Sequence, residues 1–131
     1  MTAFGALFDR VRETSPLVHC ISNLVSANDC ANIVLAAGAP PIMADDPEEV
    51  EEITALSRAL CLSLGTPTPR KAEAMVKAGR TAARLGLPVV FDPVGVGASQ
   101  FRQSIAAEVL REVPVTVLRC NASELQALSG L

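Results

Sequence analysis

Five short apolar runs recur along this chain, at residues 17–21, 41–43, 59–64, 89–91 and 115–118, and helix-length stretches fill the gaps between them. Such runs read as strands buried on both faces, the habit of parallel sheets. The stretches between carry a different period. Phe4, Leu7, Phe8 and Val11 make an i, i+3, i+4, i+7 face on residues 3–13. Residues 26–37 run up to Gly38 in the C′ position, and residues 69–85 open on Pro69 and close at Gly86, both sound helix limits. Further helices are expected over residues 47–57 and 102–112, with a last one beginning at Asn121. This alternation predicts an α/β fold, a three-layer αβα arrangement with a mostly parallel sheet and right-handed crossovers. No repeat, linker or low-complexity tract interrupts it, so the 131 residues are expected to form one domain or part of one.

Half of the residues are hydrophobic. That suits a sheet covered on both faces, and equally a sheet whose last strand awaits further cover. No apolar run approaches the roughly 18–20 residues of a membrane span. Asp9, Arg10, Arg12 and Glu13 break the basic-then-apolar order of a signal peptide, so a cytoplasmic location is the expectation. A net charge of −3 with neither Trp nor Tyr sets nucleic acid aside as a partner, because its binders show basic stripes and stacking aromatics. Cys20, Cys30, Cys61 and Cys120 form no C-x-x-C pair and read as reduced, small core residues. Cys120 stands apart from that group, since it lies between two candidate site residues. The acidic residues from 45 to 52 read as a helix start rather than a metal site. Asp46 is the expected cap, Pro47 the first position and Glu49 the end of a capping box.

The polar signals gather at the carboxyl ends of the expected strands: residues 19–23, 43–45, 65–66, 92–97 and 119–124. Parallel strands bring these ends to one rim, where open α/β sheets bind ligands. In Phe91-Asp92-Pro93-Val94-Gly95-Val96-Gly97 a carboxylate precedes two glycines, which let a backbone approach a ligand closely. A phosphate and its metal suit such a loop. Arg119 is either a phosphate partner, through its planar fork, or a surface arginine tying down the next helix. Asn121 and Glu124 are one turn apart, as an N-cap with its N3 glutamate or as a ligand-facing pair. Met43 either fills the core or packs against a flat ring. His19, inside an apolar strand, reads as a core histidine rather than a general base. There is no G-x-x-x-x-G-K-[ST], residues 95–100 lack the third glycine of the dinucleotide fingerprint, and one histidine inside a strand supports no Ser-His-Asp arrangement.

Several longer pieces recur in a familiar order: Pro16-Leu17-Val18-His19-Cys20-Ile21-Ser22-Asn23, then Asn28 with Ala31-Asn32, then Gly38-Ala39-Pro40-Pro41-Ile42-Met43-Ala44. Leu64-Gly65-Thr66, the Asp92-to-Gly97 loop and Arg119-Cys120-Asn121-Ala122-Ser123-Glu124 follow. With them the chain resembles the hydroxyethylthiazole kinase family, a ribokinase-like group, over nearly its whole length. It looks like the front half of such a kinase. The resemblance implies transfer of the ATP γ-phosphoryl group to the primary hydroxyl of 4-methyl-5-(2-hydroxyethyl)thiazole in thiamine biosynthesis and salvage. It implies Mg²⁺ held with Asp92 and Glu124, ATP met by Arg119 and Asn121, and the thiazole met by Met43, Asn23, Val25 and Gly65. It also implies a homotrimer with thiazole pockets between subunits. The family's base and anion hole sit on a Gly-x-Gly-Cys/Asp turn that this sequence does not contain. No catalytic residue is therefore expected here, and little activity from this chain alone. Ser22 stands where threonine is usual, Ser63 where asparagine is common, and Pro40 adds a second proline before Ile42. Two rival readings remain: a non-catalytic half-domain serving as a binding or assembly partner, and another ribokinase-like small-alcohol kinase.

Overall fold

A computed structural model describes residues 3–131. Its elements run in order α1 (Ala3–Thr14), β1 (Val18–Ile21), α2 (Ala27–Ala37), β2 (Pro41–Met43), α3 (Val50–Leu56), β3 (Ala59–Ser63), α4 (Pro69–Leu85), β4 (Val89–Asp92), α5 (Gln100–Glu112), β5 (Val117–Leu118) and α6 (Ala122–Ser129). All five strands pair in parallel in the order β2-β1-β3-β4-β5. The α/β class and the parallel sheet expected from the alternation are both present. The chain steps outward from β1 to β2, then returns past β1 to β3. The β1/β3 boundary is thus the topological switch point, where such sheets open a crevice.

Side chains alternate across each strand, and the register fixes the two faces. His19 lies beside Leu60, Ile21 beside Leu62, and Leu60 and Leu62 beside Val89 and Phe91. That face holds the core, packed with Met75, Ala78 and Ala82 of α4 and with Ile105, Ala106 and Val109 of α5. Thr68 caps α4 by accepting the Lys71 amide, and Gly86 ends it in the left-handed conformation. The opposite face presents Cys20, Cys61 and Val90, walled by α2 through Cys30, Ile33 and Val34. Helix α2 buries none of its residues, and Ile33 remains 68% exposed. One outer layer is dense; the other is thin and apolar.

Three local expectations change. Helix α3 begins at Val50, not at Pro47, and Glu49 is its N-cap without a side-chain cap bond. Asp46 instead accepts the Glu48 amide at 2.9 Å and pairs with Arg70 at 2.6 Å, so a turn precedes the helix and no capping box forms. Helix α5 starts two residues earlier than its apolar pattern, because Ser99 caps it by accepting the Arg102 amide. The fifth strand, expected over residues 115–118, is shorter, Val117–Leu118.

Candidate active site

At the β1 end, the main-chain oxygen of Ser22 accepts the Lys71 ammonium at 2.7 Å. Lys71 is 4% exposed, and its Nζ also lies 3.8 Å from Asp45. Asn23 shapes the loop that follows. Its Oδ1 accepts from the Ser26 amide at 2.9 Å and hydroxyl at 3.0 Å, and its Nδ2 reaches the Ser63 hydroxyl at 3.4 Å. Ser63 therefore takes part in holding Asn23, though at long range. From β3, Thr66 with φ 46° accepts the Leu24 amide at 3.1 Å. A β-branched residue in that region is strained, and here the bond to Leu24 holds it. Gly65 lies so close that an added Cβ would sit 2.4 Å from Asn23 Cβ. Asn23, Val25, Ser26, Gly65, Thr66, Val94 and Arg102 line a cavity of about 380 Å³.

At the β4 end, Asp92 is the final strand residue. Its Oδ2 accepts from Arg119 at 3.0 Å, and its Oδ1 is buried with no partner among the described residues. Loss of solvent pushes the Asp92 carboxyl up, against the opposing pull of Arg119. Arg119 follows β5, its side chain 74% exposed, while its amide donates to the Phe91 carbonyl at 2.9 Å. Asn121 and Glu124 form a capping box: Asn121 Oδ1 accepts the Glu124 amide at 2.9 Å, and Glu124 Oε2 accepts the Asn121 amide at 3.0 Å. Glu124 Oε1 accepts the Gly95 amide at 3.0 Å. These amides of Asn121 and Gly95 hold its carboxyl below the ordinary value.

Three of the four residues expected at the thiazole therefore meet around one cavity. Met43 does not join them. It lies on the edge strand β2, 39% exposed and paired with Cys20. Asp92, Arg119 and Glu124 gather at the ends of β4 and β5, where Asn121 and Glu124 take the N-cap arrangement, and Asp92 and Arg119 line a second cavity together with Asn23. His19 is a satisfied core residue: Nε2 bonds the Ala44 carbonyl at 2.8 Å and Nδ1 the Thr54 hydroxyl at 2.9 Å. All four cysteines are free, and the Cys20 thiol is pushed up by its Cys61 neighbour and by burial. Sequence reasoning passed over Lys71 and Arg102. Both sit in the first turn of a helix, where a cation opposes the dipole, and that misfit was their available signal.

This is an open parallel α/β domain with a cavity at its switch point and an acid–arginine pair at the next strand ends, the rim where such sheets bind ligands. The chain matches the hydroxyethylthiazole kinase family over residues 8–131 and belongs to that family. It is 53% identical over 127 residues to the hydroxyethylthiazole kinase of Clostridium beijerinckii, covering 97% of this chain and 46% of that protein. The same identity holds over 130 residues with the hydroxyethylthiazole kinase of Desulfovibrio desulfuricans, again over 46% of the relative. The solved hydroxyethylthiazole kinase of Pyrococcus horikoshii superposes with a TM-score of 0.91 at 45% identity, covering 95% of this chain and 49% of that one. The chain thus spans about half the length of the relatives it matches. The receiver domain of a sensor histidine kinase from Pseudomonas aeruginosa, with a TM-score of 0.59 at 11% identity, shares the fold alone.

Proposed function

We propose that this chain supplies the substrate- and phosphate-gathering half of a hydroxyethylthiazole kinase, which phosphorylates the primary hydroxyl of the thiazole alcohol with ATP. The observation that carries the reading is the bond from Gly95 to Glu124, which joins the Asp92 loop to the Asn121–Glu124 helix start at one rim. Asn23, Val25 and Gly65 bind the thiazole in the cavity beside β1 and β3. Met43, on the exposed edge strand, serves the pocket of a neighbouring subunit in a homotrimer, and the exposed Leu24, Val25 and Ile33 supply apolar surface for that assembly. Arg119 and Asn121 meet the nucleotide.

The residues present fit Mg²⁺. Asp92 Oδ1 is an orphaned acceptor, whereas both Glu124 oxygens are already engaged, so Asp92 would hold the ion more directly and Glu124 through water. Among the described residues no group of three or more metal-ligating side chains exists; Mg²⁺ can bind by one or two carboxylates plus phosphates. When bound, the ion would supply charge neutralisation for phosphoryl transfer. The chain's own residues position: Arg119 orients phosphate oxygens, and the Gly65 turn orients the ring. No helix among the described residues is long and apolar enough to cross a membrane; the cytoplasm is the proposed compartment.

The purified chain is expected to bind the thiazole alcohol in calorimetry but to show negligible ATP-dependent turnover. Binding of pyridoxal or hydroxymethylpyrimidine in preference to the thiazole would replace this reading with another ribokinase-like alcohol kinase. The thin α2 layer, with Ile33 and Leu35 exposed, favours one second reading, a non-catalytic half-domain that assembles with a complete kinase. Co-purification with a longer kinase chain, without thiazole binding, would select it.

A further inference from the structure

Arg102 is the one charged residue lining the cavity beside β1 and β3. Its Nη1 donates to the Leu64 carbonyl at 3.0 Å and to the Val94 carbonyl at 2.6 Å, bridging the ends of β3 and β4. No protein group among the described residues takes its Nε or Nη2. Arg102 also occupies N3 of α5, three residues after the Ser99 cap, where a cation faces the positive end of the helix dipole. Helix stability does not ask for it there. The Val94–Gly95 peptide is gripped from both sides, its carbonyl by Arg102 and its amide by Glu124. Arg102 therefore stands where this cavity meets the acid–arginine pair.

We infer that Arg102 is a substrate-contacting residue, with one nitrogen anchored on two carbonyls and its free N–H donors reserved for oxygens of the phosphoryl group arriving on the substrate alcohol. A guanidinium suits that task because its planar fork presents paired donors to phosphate while staying charged. Anchoring Nη1 fixes the plane before the ligand arrives, so little rotamer freedom is lost on binding. Arg119 bonds Asp92 from the end of β5, and Arg102 bonds the Val94 carbonyl from α5. The inference rests on the proposed thiazole site, and goes beyond it by separating recognition of the phosphorylated form from recognition of the ring.

The test titrates ¹⁵N-labelled chain with three probes: the thiazole alcohol, its phosphate monoester and inorganic phosphate. The Arg102 Nε–H resonance is assigned by its loss in Arg102→Lys. The ester should move that resonance and bind about tenfold more tightly than the alcohol, with Arg102→Lys losing this margin. Equal affinities, an unmoved Nε–H, or a variant that loses alcohol and ester alike would overturn the inference. If phosphate moves Arg102 but the alcohol does not bind, the thiazole reading fails and the phosphate role of Arg102 stands. If no probe binds, both fail. Should Arg102→Lys not fold, Arg102→Gln provides the assignment, and the wild-type difference between ester and alcohol decides.

Discussion

Gly95 donates its amide to the Glu124 carboxylate at 3.0 Å, so the side chain that caps α6 also holds the loop after β4. The two events are one because Glu124 divides its oxygens, Oε2 to the Asn121 amide and Oε1 to Gly95. Glu124→Ala frees both amides. At about 1 kcal/mol per bond, a loss near 2 kcal/mol is expected in urea unfolding. Glu124→Gln keeps an acceptor for only one of the two and should lie between. Equal stability of both variants with the parent would show that the box and the loop are independent. Hydrogen exchange at Gly95 reads the loop directly, and should rise in Glu124→Ala.

Asp92 gives the opposite sign. Its desolvation outweighs the Arg119 pairing and raises its carboxyl above the ordinary value. An amide at this site removes the buried charge, so Asp92→Asn should leave the chain as stable as the parent or up to about 1 kcal/mol more stable. The same change should abolish Mg²⁺-dependent ATP binding. Denaturation and nucleotide titration on one preparation check the pair. A destabilised Asp92→Asn that still binds Mg²⁺–ATP would remove Asp92 from the site.

The strands and the rim were legible because short apolar runs and turn glycines are local signals. β2 and α4 match their expected limits residue for residue, and Gly38 and Gly86 adopt the left-handed conformation that a helix end at each had implied. What escaped was set by partners distant in sequence. Asp46 satisfied every local rule for a cap, yet Arg70 claims its carboxylate from α4. Lys71 reads as a surface lysine until the fold sets Ser22 beside it. Arg102 takes meaning only from the carbonyls of Leu64 and Val94, which lie on different strands. The placement of the cavity beside β1 and β3, with the acid–arginine pair at the next strand ends, depends on strand order, which alternation alone does not fix.

Gly65 tests close approach rather than backbone freedom. A methyl group there would meet Asn23 Cβ at 2.4 Å and Cγ at 2.8 Å. Asn23 must then give up its bonds to Ser26 or push β1 and β3 apart. Gly65→Ala should cost about 1–3 kcal/mol, as overpacking does, and should weaken thiazole binding. Gly86→Ala is the control. It has open space around its Cβ position but a φ of +67°, so it should cost about 1 kcal/mol and leave ligand affinity unchanged. Similar ligand affinities for both variants would detach the Gly65 turn from the cavity's function.

His19 carries the expected pH dependence. Burial lowers its value below the ordinary 6.5, against the raising effects of the Ala44 carbonyl and of Glu49. The Ala44 oxygen can only accept, so Nε2 bears a proton, while Nδ1 lies 2.9 Å from a Thr54 hydroxyl that itself donates to the Val50 carbonyl at 2.7 Å. The unfolded chain therefore binds a proton more readily than the folded one. Above 6.5 both states are neutral and the contribution is complete. As the pH falls from 6.5 toward the depressed folded value the unfolded state gains, and stability declines with a slope of up to about 1.4 kcal/mol per pH unit. The raised Asp92 carboxyl works in the opposite sense, favouring the folded state as the pH drops toward the carboxylate range. His19 is the sole histidine in the sequence, so the difference in urea midpoints between the parent and His19→Gln from neutral to mildly acidic pH reads its contribution. The parent should weaken on acidification through that interval, and His19→Gln, less stable at neutral pH, should show a flatter profile. A difference that stays constant with pH would mean that the His19 proton is tolerated inside the fold.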